Sequence, residues 1–323
     1  MSQVPEENHR YPRGWFVVAL STEVEVGKAS SVTYFGRRMV VFRGADEKVR
    51  VTDAYCPHLG ADLGVGGTVE GNDIRCPFHA WKFDGDTGLC KDVPYAKRIP
   101  AKAQITSYLV DEVNGLVFIW NDPEGGEPDY RIPALKEWHD PTWNRWSPTR
   151  IEVKTHPREI VENVADKGHF QPVHGTHIDV FTNRYEGHTA EQVIEGIAYP
   201  RGGGKDKFRS VTTYFGPGYQ TSEMDGYLAN KLVNCHTPIG PNLLHLWFGV
   251  MLQVQPGGDK KQTEQFQAGY ANNLLVGFKE DIQIWENKVF RERPMLCDGD
   301  GDVGGLRRWY KQFYEDRLPA AAE

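Results

Sequence analysis

Two short pairs, Cys56-Pro57-His58 and Cys76-Pro77-Phe78-His79, constrain this chain more than any other feature. Each offers one thiolate and one imidazole from a tight loop containing proline, and seventeen residues separate them. The chain has five cysteines, an odd number, and its first residues, Met1 to Arg13, are polar and lack the apolar core of a signal peptide. This fits a reducing cytoplasm better than a disulfide framework, and it directs the cysteines to metal chemistry.

Two irons bridged by sulfide need two ligands apiece. Thiolates suit the sulfur-rich, more oxidised iron, and neutral imidazoles hold the other and raise its potential, the ligand set of a Rieske [2Fe-2S] centre. The small residues in Leu59-Gly60-Ala61-Asp62-Leu63-Gly64 would let backbone amides approach the sulfurs. A structural zinc site also uses two cysteines and two histidines, but it normally pairs like with like. Here each pair is mixed, which favours the cluster. Cys90, Cys235 and Cys297 have no paired spacing and read as core or bystander thiols.

A second constellation lies in Glu162 to His174, where His169 and His174 are five residues apart. On a straight helix that spacing turns the side chains apart by about 140°. Pro172 lies between them and should break or kink the helix, turning His174 back towards His169. Two histidines and one carboxylate with open positions suit ferrous iron reacting with oxygen. Asp281, in Phe278-Lys279-Glu280-Asp281-Ile282, is the candidate carboxylate, with Glu280 and Glu286 as local competitors. His156, His177, His188, His236 and His245 have no partner at recognisable spacing; His177 or His245 could line a pocket.

The length of 323 residues allows two domains. Trp15 to Leu20, Ser31 to Phe35, Met39 to Phe42, Val49 to Thr52 and Leu116 to Trp120 are strand-like, rich in β-branched and aromatic residues between glycines. The turn-rich Asn121 to Gly126 marks a boundary, giving an all-β domain over 1–126 and a second over 127–323. Glu127 to Pro148, with four prolines, reads as a linker. Arg158 to His169 and Ala271 to Arg293 have helical spacing, and Tyr199 to Val254 gives strand-like runs. An α+β chain follows, its second domain an antiparallel sheet covered by helices. No stretch approaches the ~18 apolar residues of a membrane helix. A net charge of −7 argues against nucleic acid as a partner.

These residues resemble the Rieske non-haem iron oxygenases, specifically their catalytic α-type chains. The likeness covers Cys56-x-His58, Cys76-x-x-His79, Asp166-x-x-His169-x-x-x-x-His174 and the late acid Asp281. It implies a Rieske domain, a helix-grip domain and assembly as a homotrimer in which one chain's cluster serves the next chain's iron. It also implies that Asp166 bridges the two centres, accepting hydrogen bonds from His79 of one subunit and His169 of the next. A narrower likeness, in Glu280 to Lys288, Arg293 to Leu296 and Leu306 to Tyr314, is to 3-ketosteroid 9α-hydroxylase oxygenases and cholesterol 7-desaturases. It supports Asp281 as third ligand and implies a bulky, apolar, steroid-like substrate.

Two other motifs fail. Asp298-Gly299-Asp300-Gly301-Asp302 lacks the sixth-position glycine and twelfth-position acid of a calcium loop. Gly202-Gly203-Gly204-Lys205 lacks the hydroxyl residue of a phosphate loop. With no dinucleotide fingerprint, electrons from NAD(P)H should arrive through a separate reductase or ferredoxin. The expected reaction is oxygen-dependent hydroxylation, with desaturation or oxidative demethylation as alternatives. A Rieske electron carrier would leave the second histidine pair unexplained, and a zinc-stabilised lipid-binding module would do without redox chemistry.

Overall fold

The computed structural model describes residues 10–146, 148–199, 204–225, 229–254 and 257–316. Most of the leading stretch read for a signal peptide, and Gly202-Gly203 of the rejected phosphate loop, lie outside them. Two compact units are present: residues 16–120, and the described residues on either side of that span.

The first unit is all β. Its strands are β1 (Gly14–Leu20), β2 (Ala29–Tyr34), β3 (Arg37–Arg43), β4 (Val49–Asp53), β5 (Thr68–Glu70), β6 (Asp73–Arg75), β7 (Lys82–Asp84), β8 (Cys90–Asp92), β9 (Val110–Val113) and β10 (Leu116–Asn121). They form three small sheets, ordered β1-β10-β9, β2-β3-β4 and β5-β6-β7-β8. The continuous apolar run of β10 is buried along its whole length. The three-residue strands β5 to β8 bury little themselves. Their hairpins close over Val40, Phe42, Leu63, Ile74, Trp81 and Phe83, a core that also includes Cys56 and Cys76.

The second unit holds α1 (Lys136–His139), β11 (Trp143–Asn144), β12 (Thr149–Val153), α2 (Pro157–Glu162), α3 (Phe170–His174), β13 (His177–Glu186), β14 (Thr189–Ala198), β15 (Asp206–Phe215), β16 (Tyr219–Asp225), β17 (Asn230–Gly240), β18 (Leu243–Gln253), α4 (Lys260–Asn287) and α5 (Val303–Lys311). The strands make one antiparallel sheet, β11-β18-β17-β16-β15-β14-β13, with β12 also paired to β18. Leu232, Phe248, Val250 and Leu252 on this sheet pack against Tyr270, Leu274, Leu275 and Phe278 of α4. This is the expected sheet covered by helices.

Residues 10–15, including the first two residues of β1, belong to this unit, where their polar groups find partners. Trp15 donates from Nε1 to the Tyr130 carbonyl (2.9 Å), and Asn121 donates from Nδ2 to the Pro12 carbonyl (2.8 Å). Two helical segments also differ from the sequence reading. Helix α4 starts eleven residues before Ala271, because Asp259 caps it by accepting from the Lys261 and Gln262 amides. Its first half is too polar for an apolar period to reveal it. The segment from Arg158 breaks after α2 into a single 3-10 turn, Asn163–Ala165, and then an extended Asp166. Of the acids of the rejected calcium loop, Asp302 caps α5 by accepting from the Gly305 amide, and Asp300 accepts from the Cys297 amide within the loop.

His236 on β17 is fully buried, edge-on to Tyr214 at 5.8 Å between ring centroids, and neither ring nitrogen has a hydrogen-bond partner among the described residues. Burial lowers its pKa to about 3. Between the unfolded value of about 6.5 and that depressed value, the unfolded chain binds a proton that the folded chain refuses. Stability should therefore fall with acidification from about pH 6.5 downward, by up to ~1.4 kcal/mol per pH unit from this group. Urea unfolding at a series of pH values should give a shallower decline for His236→Leu. An identical slope in both proteins would rule the effect out.

Candidate active site

The two ligand loops of the first unit are the same turn built twice. The Cys56 amide donates to the Ala61 carbonyl (2.9 Å) and the Gly60 amide back to the Cys56 carbonyl (2.9 Å). Likewise the Cys76 amide donates to Trp81 (2.8 Å) and the Ala80 amide to Cys76 (3.2 Å). The fifth residue of each turn is left-handed, Gly60 at φ 76° and Ala80 at φ 57°. Within that common frame the histidine stands third in one turn and fourth in the other, which accounts for the unequal spacing of the pairs.

The turns bring the two histidine rings together and place both cysteines in one buried core. Both cysteines are buried, and the His58 and His79 rings lie 4.6 Å apart, edge to face. His58 stacks on Trp81 at 4.7 Å, and Trp81 donates from Nε1 to the Tyr95 hydroxyl (2.8 Å). Burial, with the neighbouring Cys76 adding to it, pushes the Cys56 thiol up to about 11 against an opposing hydrogen bond from the His58 amide. Such a thiol stays protonated at neutral pH unless a metal takes the place of the proton. His58 Nδ1 is buried and lacks a hydrogen-bond partner among the described residues. A buried, unpaired ring nitrogen two residues from a buried thiol on the same turn fits a cluster ligand set and is costly otherwise.

In the second unit Pro172 does not act as a kink. It lies in the first turn of α3, where its missing N–H costs nothing, and His169 occupies the cap position before that turn. His169 thus caps, and His174 ends, one five-residue helix, which stops at left-handed Gly175. Their rings are 5.2 Å apart. Helix α4 supplies the third group: Asp281 Oδ1 lies 3.3 Å from His174 Nε2. Ligand atoms of His169, His174 and Asp281 all lie within 4.8 Å of one another.

The competing acids separate by position. Glu286 accepts from the Lys154 amide (2.9 Å), and Glu280 stands 3.8 Å from His174 Nδ1. Asp281 is buried. Burial works against protonating His174, but the carboxylates of Asp281 and Glu280 outweigh it and raise its pKa. The same field would draw in a metal cation. His169 donates from Nδ1 to the Asp166 carbonyl (2.8 Å), which leaves the Nε2 lone pair for a metal. The Asp166 carboxylate accepts from the His169 amide (3.3 Å) and is otherwise about half exposed.

These three groups sit in the wall of a cavity of about 1070 Å3. Phe170, Val173, Ile194, Leu232, Leu274 and Phe278 give it an apolar lining, and Gln220, Ser222 and Asn234 add polar groups from the sheet. Asn234 Oδ1 is buried with no hydrogen-bond partner among the described residues. Neither Asn234 nor Asn163, whose Nδ2 lies 3.4 Å from His169 Nε2, stands out in the sequence. Both are ordinary amides until the sheet and the turn place them. Of the two histidines suggested for a pocket, neither lines this one: His177 is exposed beside Asp179, and His245 pairs opposite Glu152.

Residues 14–108 match the Rieske [2Fe-2S] domain, and residues 119–314 match the 3-Ketosteroid 9alpha-hydroxylase C-terminal domain. The chain belongs to the Rieske non-haem iron oxygenases. This oxygenase is 40% identical, over 95% of its length and 81% of the relative's, to a probable 3-ketosteroid-9-alpha-monooxygenase oxygenase component of Rhodococcus rhodochrous. It is 30% identical to cholesterol 7-desaturase nvd 1 of Ciona intestinalis, over 96% of this chain and 70% of that one. Dicamba monooxygenase bound to dicamba shares the fold, with a TM-score of 0.75 at 21% identity, covering 93% of this chain and 96% of the other. The oxygenase is a monooxygenase-type oxidoreductase whose cofactors are a Rieske [2Fe-2S] cluster and a mononuclear iron. Among the described residues no helix is long and apolar enough to cross a membrane.

Proposed function

We propose that the oxygenase hydroxylates a bulky, largely apolar, steroid-like substrate, with electrons from a separate reductase. The observation that carries this reading is the cavity over the His169, His174 and Asp281 group. It is slightly larger than the ~300–1,000 Å3 usual for small-molecule sites and is mainly apolar. Cys56, His58, Cys76 and His79 would hold the cluster, and His169, His174 and Asp281 the iron. When bound, the cluster supplies single electrons and the iron activates oxygen for attack on a C–H bond.

The chain's own residues do the rest. The Asp166 carbonyl fixes the tautomer and ring direction of His169. In a ring of three copies, the Asp166 carboxylate would also receive a hydrogen bond from His79 of the partner subunit. The apolar walls exclude water, which limits wasteful loss of reducing power. The Asn234 carboxamide, whose Oδ1 is without a partner among the described residues, would accept from a hydroxyl, or with the amide turned over donate to a ketone. The division into a Rieske domain over 1–126 and a catalytic domain over 127–323, and a cytoplasmic location, complete this reading.

The test is a panel of 3-ketosteroids and 3-hydroxysterols with a surrogate reductase, NADH and oxygen, read by mass spectrometry. A product with one added oxygen is expected; one lacking two hydrogens would make the enzyme a desaturase. Asn234→Leu should lower kcat/KM for an oxygenated steroid by about 10-fold or more, the worth of one buried hydrogen bond to substrate. No turnover of any panel member by protein with both centres loaded and reducible would overturn the steroid reading.

A further inference from the structure

The metal-site reading above rests on residues from two separate segments: His169 and His174 follow α2, whereas Asp281 belongs to α4. Something must fix the distance between them. Among the described residues no main-chain ladder runs between these segments; side chains join them directly, as where Thr155 donates from Oγ1 to the Trp285 carbonyl (2.9 Å), and a further set meets at α5. Arg307 there donates from Nε to Glu162 Oε1 (2.6 Å), at the end of α2 and four residues before Asp166. From Nη1 the same guanidinium donates to the Arg291 carbonyl (2.7 Å) and the Glu292 carbonyl (3.2 Å), in the chain that leaves α4. Its face also covers the Phe290 ring at 4.5 Å, and Arg158 of α2 covers Phe290 at 3.8 Å. Lys288 closes the other side, with Nζ 2.8 Å from Glu159 and 3.6 Å from Glu162.

We propose that Arg307 is a positioning residue for the mononuclear metal site, clasping the histidine-bearing segment to the helix that carries Asp281. The geometry requires arginine. Its rigid fork reaches a carboxylate and two carbonyls in fixed directions while stacking on an aromatic face, which a lysine's single ammonium head cannot reproduce. Glu162 and Arg307 are each less than a quarter exposed, so the pair is shielded from the solvent screening that weakens surface ion pairs. Arg307 lies outside the lining of the cavity and acts only through the segments it joins.

The test uses the full chain with its cluster loaded and the mononuclear metal stripped by a chelator, then titrated anaerobically with Co(II). Arg307→Met and Arg307→Lys should each weaken Co(II) binding by about 10-fold, the lower end of what loss of a supporting group costs a metal site. Arg308→Met, an exposed neighbour on the same helix, should not. The decisive comparison is with Asp281→Asn. Once that carboxylate no longer ligates, its distance from the histidines ceases to matter, so adding either Arg307 change should weaken binding no further than about twofold. The inference is overturned if Arg307 variants bind Co(II) as the parent does while the metal-free melting temperature drops, or if their loss adds in full to that of Asp281→Asn. If Asp281→Asn itself binds Co(II) unchanged, the ligand assignment beneath the inference falls, and the inference with it.

Discussion

Alanine at His169 yields a protein that keeps its [2Fe-2S] cluster, loses its mononuclear iron, and forms product more than about 100-fold more slowly, beyond the usual cost of losing an outer partner of a ligand. Iron analysis should fall from roughly three per chain to roughly two, following the two ligand sets. The reduced-cluster EPR signal should persist. The effect is large because His169 supplies one of the three ligand groups and its Nδ1 bond to the Asp166 carbonyl aims the ring; alanine removes both. Asn163, whose Nδ2 lies 3.4 Å from the ring's Nε2, is a weak metal ligand. Full iron content with turnover within tenfold of the parent would remove His169 from the site.

Cys76→Ser should give the mirror image. The visible absorbance of the cluster disappears, reductase-driven turnover is lost to a similar extent, and about one iron per chain remains at the second site. A serine hydroxyl is a far poorer partner for a soft, sulfide-bridged iron than a thiolate. Cys76 is also part of the buried core that includes Ile74, Trp81 and Phe83. Emptying the site leaves the His58 nitrogen unsatisfied beside a new buried hydroxyl, so the first unit should melt earlier as well. A brown, active Cys76→Ser protein would exclude Cys76 as a ligand.

The α+β class and the strands of the first third were legible because each is a β-branched or aromatic run bounded by glycine. The pairs at 56–58 and 76–79 were legible because thiolate and imidazole at such spacing have few other uses. What was not legible lay in how neighbouring segments terminate. Nothing local announces that Pro172 opens a helix instead of bending one; that depends on the 3-10 turn at Asn163–Ala165 and the extended Asp166 before it. The polar first half of α4 is helical because of the Asp259 cap and because Tyr270, Leu274 and Phe278 further along find the sheet. Asn234 becomes noticeable only when β17 turns its amide into a cavity.

Helix α4 carries Phe266, Tyr270, Leu274 and Phe278 in the cavity wall and Asp281 in the metal group, on one continuous rod. From Phe266 to Asp281 it runs about 22 Å at ~1.5 Å per residue, without a break in the helix between its two duties. Whatever presses on the wall therefore presses on the carboxylate, and the two binding equilibria share a free energy. Thermodynamic reciprocity then fixes the bargain from both ends: if filling the cavity alters metal affinity by some factor, filling the metal position must alter substrate affinity by that same factor. Substrate affinities measured on metal-free protein would then differ from those of the working enzyme by the full size of that coupling.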